Sequence, residues 1–149
     1  MVKILTKTHQ SLLSHFGKIH RVIAKTLETR LSPIGITYQE MRIAGLLMGE
    51  QNMTQKALAE KLSVRAATLS IAISKLEAQG LVKRVQSKTD KRVNYLHITP
   101  NKKISKVDDI LNALEADITR GIPKQDLQIT SQVLTKIIDN LQAQQGAQL

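Results

Sequence analysis

Apolar residues recur through the first third of the chain at the spacing of a helical stripe. Between Leu12 and Leu27 they fall at positions 12, 16, 19, 23 and 27, which marks one face of a helix. Ser32-Pro33-Ile34-Gly35 then punctuates the chain. Thr37 followed three residues later by Glu40 is a capping-box pattern, and it predicts a second helix running to about Met48. After a turn over Gly49-Glu50-Gln51-Asn52, Thr54 is a good N-cap for a short third helix ending near Leu62. A fourth helix is predicted from about Arg65 to Gln79, stopped by Gly80.

Beyond Gly80 the period shortens. Leu81–Val85 and Val93–Ile98 are β-prone runs separated by Ser87-Lys88-Thr89-Asp90-Lys91, the pattern of a hairpin with a basic tip. Thr99-Pro100 reads as the cap and first position of a fifth helix. Along it Ile104, Val107, Leu111, Leu114 and Ile118 are spaced 3, 4, 3 and 4, a narrow heptad seam. Gly121-Ile122-Pro123 breaks the pattern. A last helix then carries Leu127, Leu134 and Leu141 a heptad apart, with Ile137 and Ile138 beside them, and a Gln-rich end (Gln142 to Gln148) expected to fray. The prediction is a mainly α fold of about six helices with a small β-hairpin wing.

The predicted third and fourth helices are short, then long, with a tight turn between, which is a helix-turn-helix. Leu58, Leu62, Leu69, Ile73 and Leu76 are placed to share one small core, and Ala59 suits a close helix crossing. That packing turns Arg65, Ala67, Ser70, Ile71 and Ser74 outward, with Thr68 and Lys75 beside them. Small and polar side chains there suit entry into a major groove about 12 Å wide. Two readings of Ile71 stand open: contact with a thymine methyl, or packing back against the domain.

Charge supports a polyanionic partner. Residues 54–103 hold 11 Lys and Arg against 3 Asp and Glu, a net of +8, within a chain of net +10. Lys83, Arg84, Lys88, Lys91 and Arg92 crowd the hairpin with only Asp90 opposing them. Such a ribbon can reach phosphates and the adjacent minor groove; a merely solvated basic hairpin is the alternative.

Other chemistry finds little footing. The absence of cysteine excludes disulfides, thiolate zinc sites and thiol switches. No apolar run approaches the roughly 20 residues a bilayer requires, and Met1–Lys7 lacks a secretory signal, so a cytoplasmic location without membrane association is expected. His9, His15 and His20 lie in the first helical stretch without a spacing that groups them on one face, so no metal or other cofactor is expected. His97 falls on a wing strand and reads as structural. No phosphate loop, nucleophile context or usable carboxylate pair is present, since Asp108 and Asp109 are adjacent on a helix and diverge. No enzymatic activity is expected.

Several segments together resemble the MarR family of bacterial regulators. They are Thr54–Leu62, Thr68-Leu69-Ser70, Leu76–Arg84, Asp90-Lys91-Arg92 and Leu96-His97-Ile98-Thr99, with Ile36-Thr37 and Glu40 at the entry to the second helix. The resemblance spans nearly the whole chain in element order and is sequence-specific over residues 36–100. It implies a winged helix-turn-helix lobe at 36–100, flanked by a dimerisation lobe built from residues 1–35 and 101–149. It also implies a homodimeric regulator, a repressor of transcription acting on a palindromic site in double-stranded DNA. Asp90 would brace the wing by pairing with a basic residue, and Arg92 would enter the minor groove. A further implication is a small anionic aromatic ligand between the lobes, for which His15, His20, Tyr38 and Arg42 are candidates beside ordinary surface or packing roles. Three departures stand out: Arg65 where the family often places a capping Ser, Ile71 at an often polar position, and Lys102 in place of a glycine after the wing.

The terminal helices need partners, because a seam of about 21 Å cannot hide its apolar face alone. A two-fold dimer satisfies this and sets two recognition helices about 34 Å apart. Phe16, Ile19, Ile104, Leu111, Leu114, Ile118, Leu134, Ile138 and Leu141 are the interface candidates. The competing function is a nucleoid-type or RNA-binding winged helix with little sequence specificity.

Overall fold

The computed structural model describes residues 11–50 and 52–146; His9, Gln51 and Gln148 lie outside them. The described chain runs α1 (Leu12–Leu31), a 3-10 turn (Ser32–Ile34), α2 (Tyr38–Gly49), β1 (Met53–Thr54), α3 (Gln55–Leu62), α4 (Ala66–Ala78), β2 (Val82–Gln86), β3 (Asn94–Ile98), α5 (Lys102–Thr119) and α6 (Lys124–Gly146). It is thus mainly helical with a small sheet. Two compact units divide it, Met1–Ile110 and Leu111–Leu149.

The predicted punctuation appears as hydrogen bonds. Thr37 Oγ1 accepts from the Glu40 amide at 3.1 Å, and Glu40 Oε2 accepts from the Thr37 amide at 2.9 Å, a reciprocal cap on α2. Thr54 Oγ1 accepts from the Ala57 amide at 3.2 Å and opens α3. At the end of α4, Gly80 has φ of +70°. This lets the Gly80 amide reach the Glu77 carbonyl and the Leu81 amide reach the Leu76 carbonyl, each at 2.9 Å, while Leu76 and Leu81 are both buried. The pattern is a Schellman ending, which turns the chain from the helix into β2.

In the first unit, Leu58, Leu62, Leu69, Ile73 and Leu76 are all buried, as the helix-turn-helix packing requires. Leu27, Leu31, Ile36, Ile43 and Leu47 extend this aliphatic core through α1 and α2. Glu40 is also buried, and its second oxygen meets Lys75 Nζ at 3.0 Å. One carboxylate therefore caps α2 and ties it to α4. Glu40→Ala is expected to cost about 2–4 kcal/mol, combining a lost cap with a lost charge-assisted bond. Glu40→Gln, which keeps the reciprocal cap geometry, is expected to cost less than half of that. Denaturant unfolding reads both, and an alanine variant within about 0.5 kcal/mol of the parent would remove Glu40 from the account.

Two elements differ from expectation. The sheet has three strands in the order β1-β3-β2, because Met53 and Thr54 pair antiparallel with Leu96 and Tyr95. The fifth helix begins at Lys102 rather than at Thr99-Pro100. The Thr99 amide is still held by the Leu81 carbonyl at 2.9 Å, so Thr99 remains tied to the chain leading into β2. Asn101 caps the helix instead, its Oδ1 accepting from the Lys103 amide at 2.9 Å.

The second unit contains the end of α5 and all of α6. The glutamines at 142, 144 and 145 continue α6 as helix to Gly146. None of the described side chains of α6 is buried.

Candidate nucleic-acid interface

Helix α4 divides cleanly into two faces. Leu69, Ile73 and Leu76 point into the core, while Arg65, Ala67, Thr68, Ile71, Ser74 and Lys75 are exposed and Ser70 is half-buried. Arg65 occupies the N-cap position with extended backbone and no side-chain cap bond. The first amides of α4 are thus capped by no side chain, beside an exposed guanidinium. The turn before it depends on Ser63, whose backbone is left-handed at φ +53°. Its amide and that of Val64 return to the Glu60 and Ala59 carbonyls at 3.1 Å, so α3 stops abruptly and α4 departs at a new angle.

The wing is the hairpin β2–β3, in register from Val82 opposite Ile98 to Gln86 opposite Asn94. Its tip is organised by Ser87, a buried hydroxyl the sequence reading passed over. Ser87 Oγ accepts from the amides of Thr89 (3.3 Å) and Asp90 (3.2 Å), and the Ser87 amide bonds the Val93 carbonyl at 2.8 Å. Gln86 Nε2 donates to the Lys91 carbonyl at 2.6 Å. A serine in a polar loop carries no periodic signal; only its spacing to Asp90 hinted at a side-chain turn.

Asp90 and Arg92 form one clasp at this tip. Asp90 Oδ1 accepts from the Arg92 amide at 3.0 Å and from Arg92 Nε at 3.3 Å, and Oδ2 from the guanidinium NH2 at 3.5 Å. The basic residue that Asp90 pairs with is therefore Arg92 itself, whose side chain remains 90 % exposed. The Arg92 amide first, and its guanidinium second, hold the Asp90 carboxyl below its ordinary value of 3.8. A depressed folded-state pKa means the clasp is complete above the ordinary carboxylate range and is lost as pH falls through the lower folded value. The Arg92 Nε–H NMR signal is expected to stay unchanged through neutral and mildly acid solution and to shift only on strong acidification. A shift near neutrality would contradict the clasp.

The remaining basic candidates separate into two groups. Lys83, Lys88 and Lys91 are exposed on the wing. Lys75 is joined to Glu40, and Arg84 NH2 lies 3.4 Å from Gln55 Oε1 and 3.6 Å from Glu77 Oε2. Arg84 thus links β2 to the start of α3 and the end of α4, and ties the wing to α4. These long-range partners have no signature in local sequence.

Of the ligand candidates, His15 and His20 are exposed on α1, while Tyr38 and Arg42 are half-buried on α2. The Tyr38 amide donates to Glu28 Oε2 at 3.4 Å, and Arg42 NH1 to Gln39 Oε1 at 3.4 Å. None of the four lines the cavity of about 340 Å³ formed by Leu47, Met48, Leu96, His97 and Ile98. Among the interface candidates, Ile104 and Leu114 are buried within the single chain and Phe16 is half-buried. Ile19, Leu111, Ile118, Leu134, Ile138 and Leu141 are exposed on it. Among the described residues, no helix is long and apolar enough to cross a membrane.

A family model described as MarR family matches residues 34–93, the span from the entry of α2 to the wing tip. The transcriptional regulator PA3341 is similar in structure, with a TM-score of 0.76 and 27 % identity over 89 % of this chain and 99 % of its own. FabT of Streptococcus pneumoniae, solved in complex with DNA, gives 0.73 and 21 % over 91 % and 98 %. Wild-type MarR from E. coli in its apo form gives 0.71 and 19 % over 85 % and 96 %. The winged helix-turn-helix segment is thus similar to the MarR family, and the chain shares the fold of wild-type MarR.

Proposed function

We propose that this chain is a homodimeric regulator that binds double-stranded DNA by sequence and represses transcription. The observation that carries the reading is the continuity of one surface. The small exposed face of α4 lies in the same winged helix-turn-helix as a basic wing, and Arg84 links that wing to α4. Arg65 at the uncapped start of α4 is assigned to phosphate, while Ala67, Thr68, Ser70, Ile71 and Ser74 face the base edges. Lys83, Lys88 and Lys91 supply phosphate contacts from the wing, and Arg92 enters the minor groove. The DNA-bound relative FabT has the same fold, which supports this assignment by analogy of architecture.

Dimerisation follows from the unburied apolar positions of α6 and from Ile19, Leu111 and Ile118. A dimer sets two recognition helices on one face of the duplex, and a protein seated across a promoter blocks the polymerase. A small anionic aromatic ligand fits the reading as a modulator that prefers one form of the dimer. Of the four candidate residues, Arg42 supplies the permanent positive charge such a ligand needs. The protein is expected to act in the cytoplasm, where its DNA lies.

Titration of labelled duplex DNA at two salt concentrations tests the reading. One dimer per duplex, with affinity falling steeply as salt rises but sequence preference retained, is the expected result. Salt-sensitive binding with no preference among duplexes, or preference for RNA, favours the nucleoid-type or RNA-binding alternative. No binding at physiological salt overturns both.

A further inference from the structure

Ile71 is the one large aliphatic side chain on the outward face of α4 among the described residues, and it is 73 % exposed. On a helix its face neighbours are the residues three and four positions away: Ala67 and Thr68 on one side, Ser74 and Lys75 on the other. The first three are short, and the Lys75 ammonium is drawn to Glu40 at 3.0 Å. The isoleucine therefore stands above a low platform. It plays no part in the core, which Leu69, Ile73 and Leu76 fill from the opposite face.

Resting on the regulator reading above, we infer that Ile71 reads the C5-methyl group of a thymine in each half-site. The floor of the major groove presents hydrogen-bond donors and acceptors and a single apolar feature, the thymine methyl. An alkyl side chain has nothing to offer the other groups. Set against guanine O6 and N7 or the cytosine amino group, it removes their water without replacing the lost bonds, which is unfavourable. Discrimination thus arises from attraction to one base pair and from a penalty at the others. The short neighbours matter as well, because they let the branched end of Ile71 approach the groove floor before the helix backbone meets the phosphates. Ser70, Ser74 and Thr68 can bond base edges on either side, which sets the methyl-reading position inside a polar frame. A cytosine methylated at C5 carries its methyl at the corresponding place, so the same contact tolerates 5-methylcytosine better than cytosine.

The test uses the duplex that the full-length protein enriches from a random pool, with each thymine replaced in turn by deoxyuridine, which lacks only the methyl. At one symmetric thymine position the exchange is expected to weaken binding about fourfold per half-site, the effect of one buried methyl. Ile71→Ala, confirmed folded by circular dichroism, is expected to bind the thymine and uracil duplexes equally. At the same position, 5-methylcytosine is expected to bind more tightly than cytosine. Tight binding with no uracil-sensitive position overturns the inference and leaves the regulator reading standing. An alanine variant that still discriminates uracil from thymine also overturns it. Failure to bind any duplex overturns the regulator reading and this inference with it.

Discussion

Replacing Ile138 with aspartate is expected to convert the proposed homodimer into monomers. Helix α6 runs 23 residues, about 35 Å at 1.5 Å per residue, and none of its described side chains is buried. Leu134, Ile138 and Leu141 lie on one face, and Ile138 is 53 % exposed on the single chain. A helix this long with an apolar stripe needs a second surface to cover it. A carboxylate at the centre of that surface is desolvated without a partner, and two-fold symmetry repeats the penalty in each copy. Ile138 is chosen over Leu114, which is only 8 % exposed in one chain, so a charge at Leu114 would disrupt the fold itself. Light scattering is expected to read the monomer mass, with the helical signal retained. DNA affinity should fall about 100-fold or more, because the second half-site is no longer held at a high effective concentration. An intact dimer carrying Asp at position 138 would place the interface elsewhere.

Arg92→Ala should produce the next largest loss. The Asp90 clasp holds the guanidinium at the wing tip, so less freedom would be lost on the minor-groove entry proposed for it. Removing it is expected to cost about 1–3 kcal/mol per half-site, or roughly 5- to 150-fold. Asp90→Ala leaves the guanidinium in place and frees it, and its smaller expected loss is in positioning alone. Arg92→Lys keeps the charge without the planar fork and is expected to recover only the phosphate-like part of the affinity. Unchanged affinity of the alanine variant at moderate salt would sink the minor-groove role.

The helical frame was legible because its signals are local. Thr37 and Glu40, Thr54, Gly80 and the Leu58-to-Leu76 spacing each act within a few residues of themselves, and each appears as a hydrogen bond or a buried side chain. Thr99-Pro100 carried an equally local signal and misled. A cap pattern cannot register that the Thr99 amide is claimed by Leu81, a residue 18 positions away. The same reason hid β1, whose two residues are strand only because β3 lies beside them. In the interface, exposure of the basic wing followed from composition and periodicity. The withdrawal of Lys75 and Arg84 into contacts with Glu40, Gln55 and Glu77 did not, since those pairs join separate elements. Ile71 is the clearest gain: its two sequence readings were evenly placed, and its exposure removes packing back against the domain.

Selection of random duplex DNA by the purified full-length protein at physiological salt, with the retained pool sequenced, separates a protein that reads DNA sequence from one that only holds the duplex. An enriched inverted repeat whose half-site centres lie about one helical turn, roughly 34 Å, apart is the expected result. Retention of DNA with no enriched sequence would contradict it and leave a basic winged helix that holds the duplex without reading it.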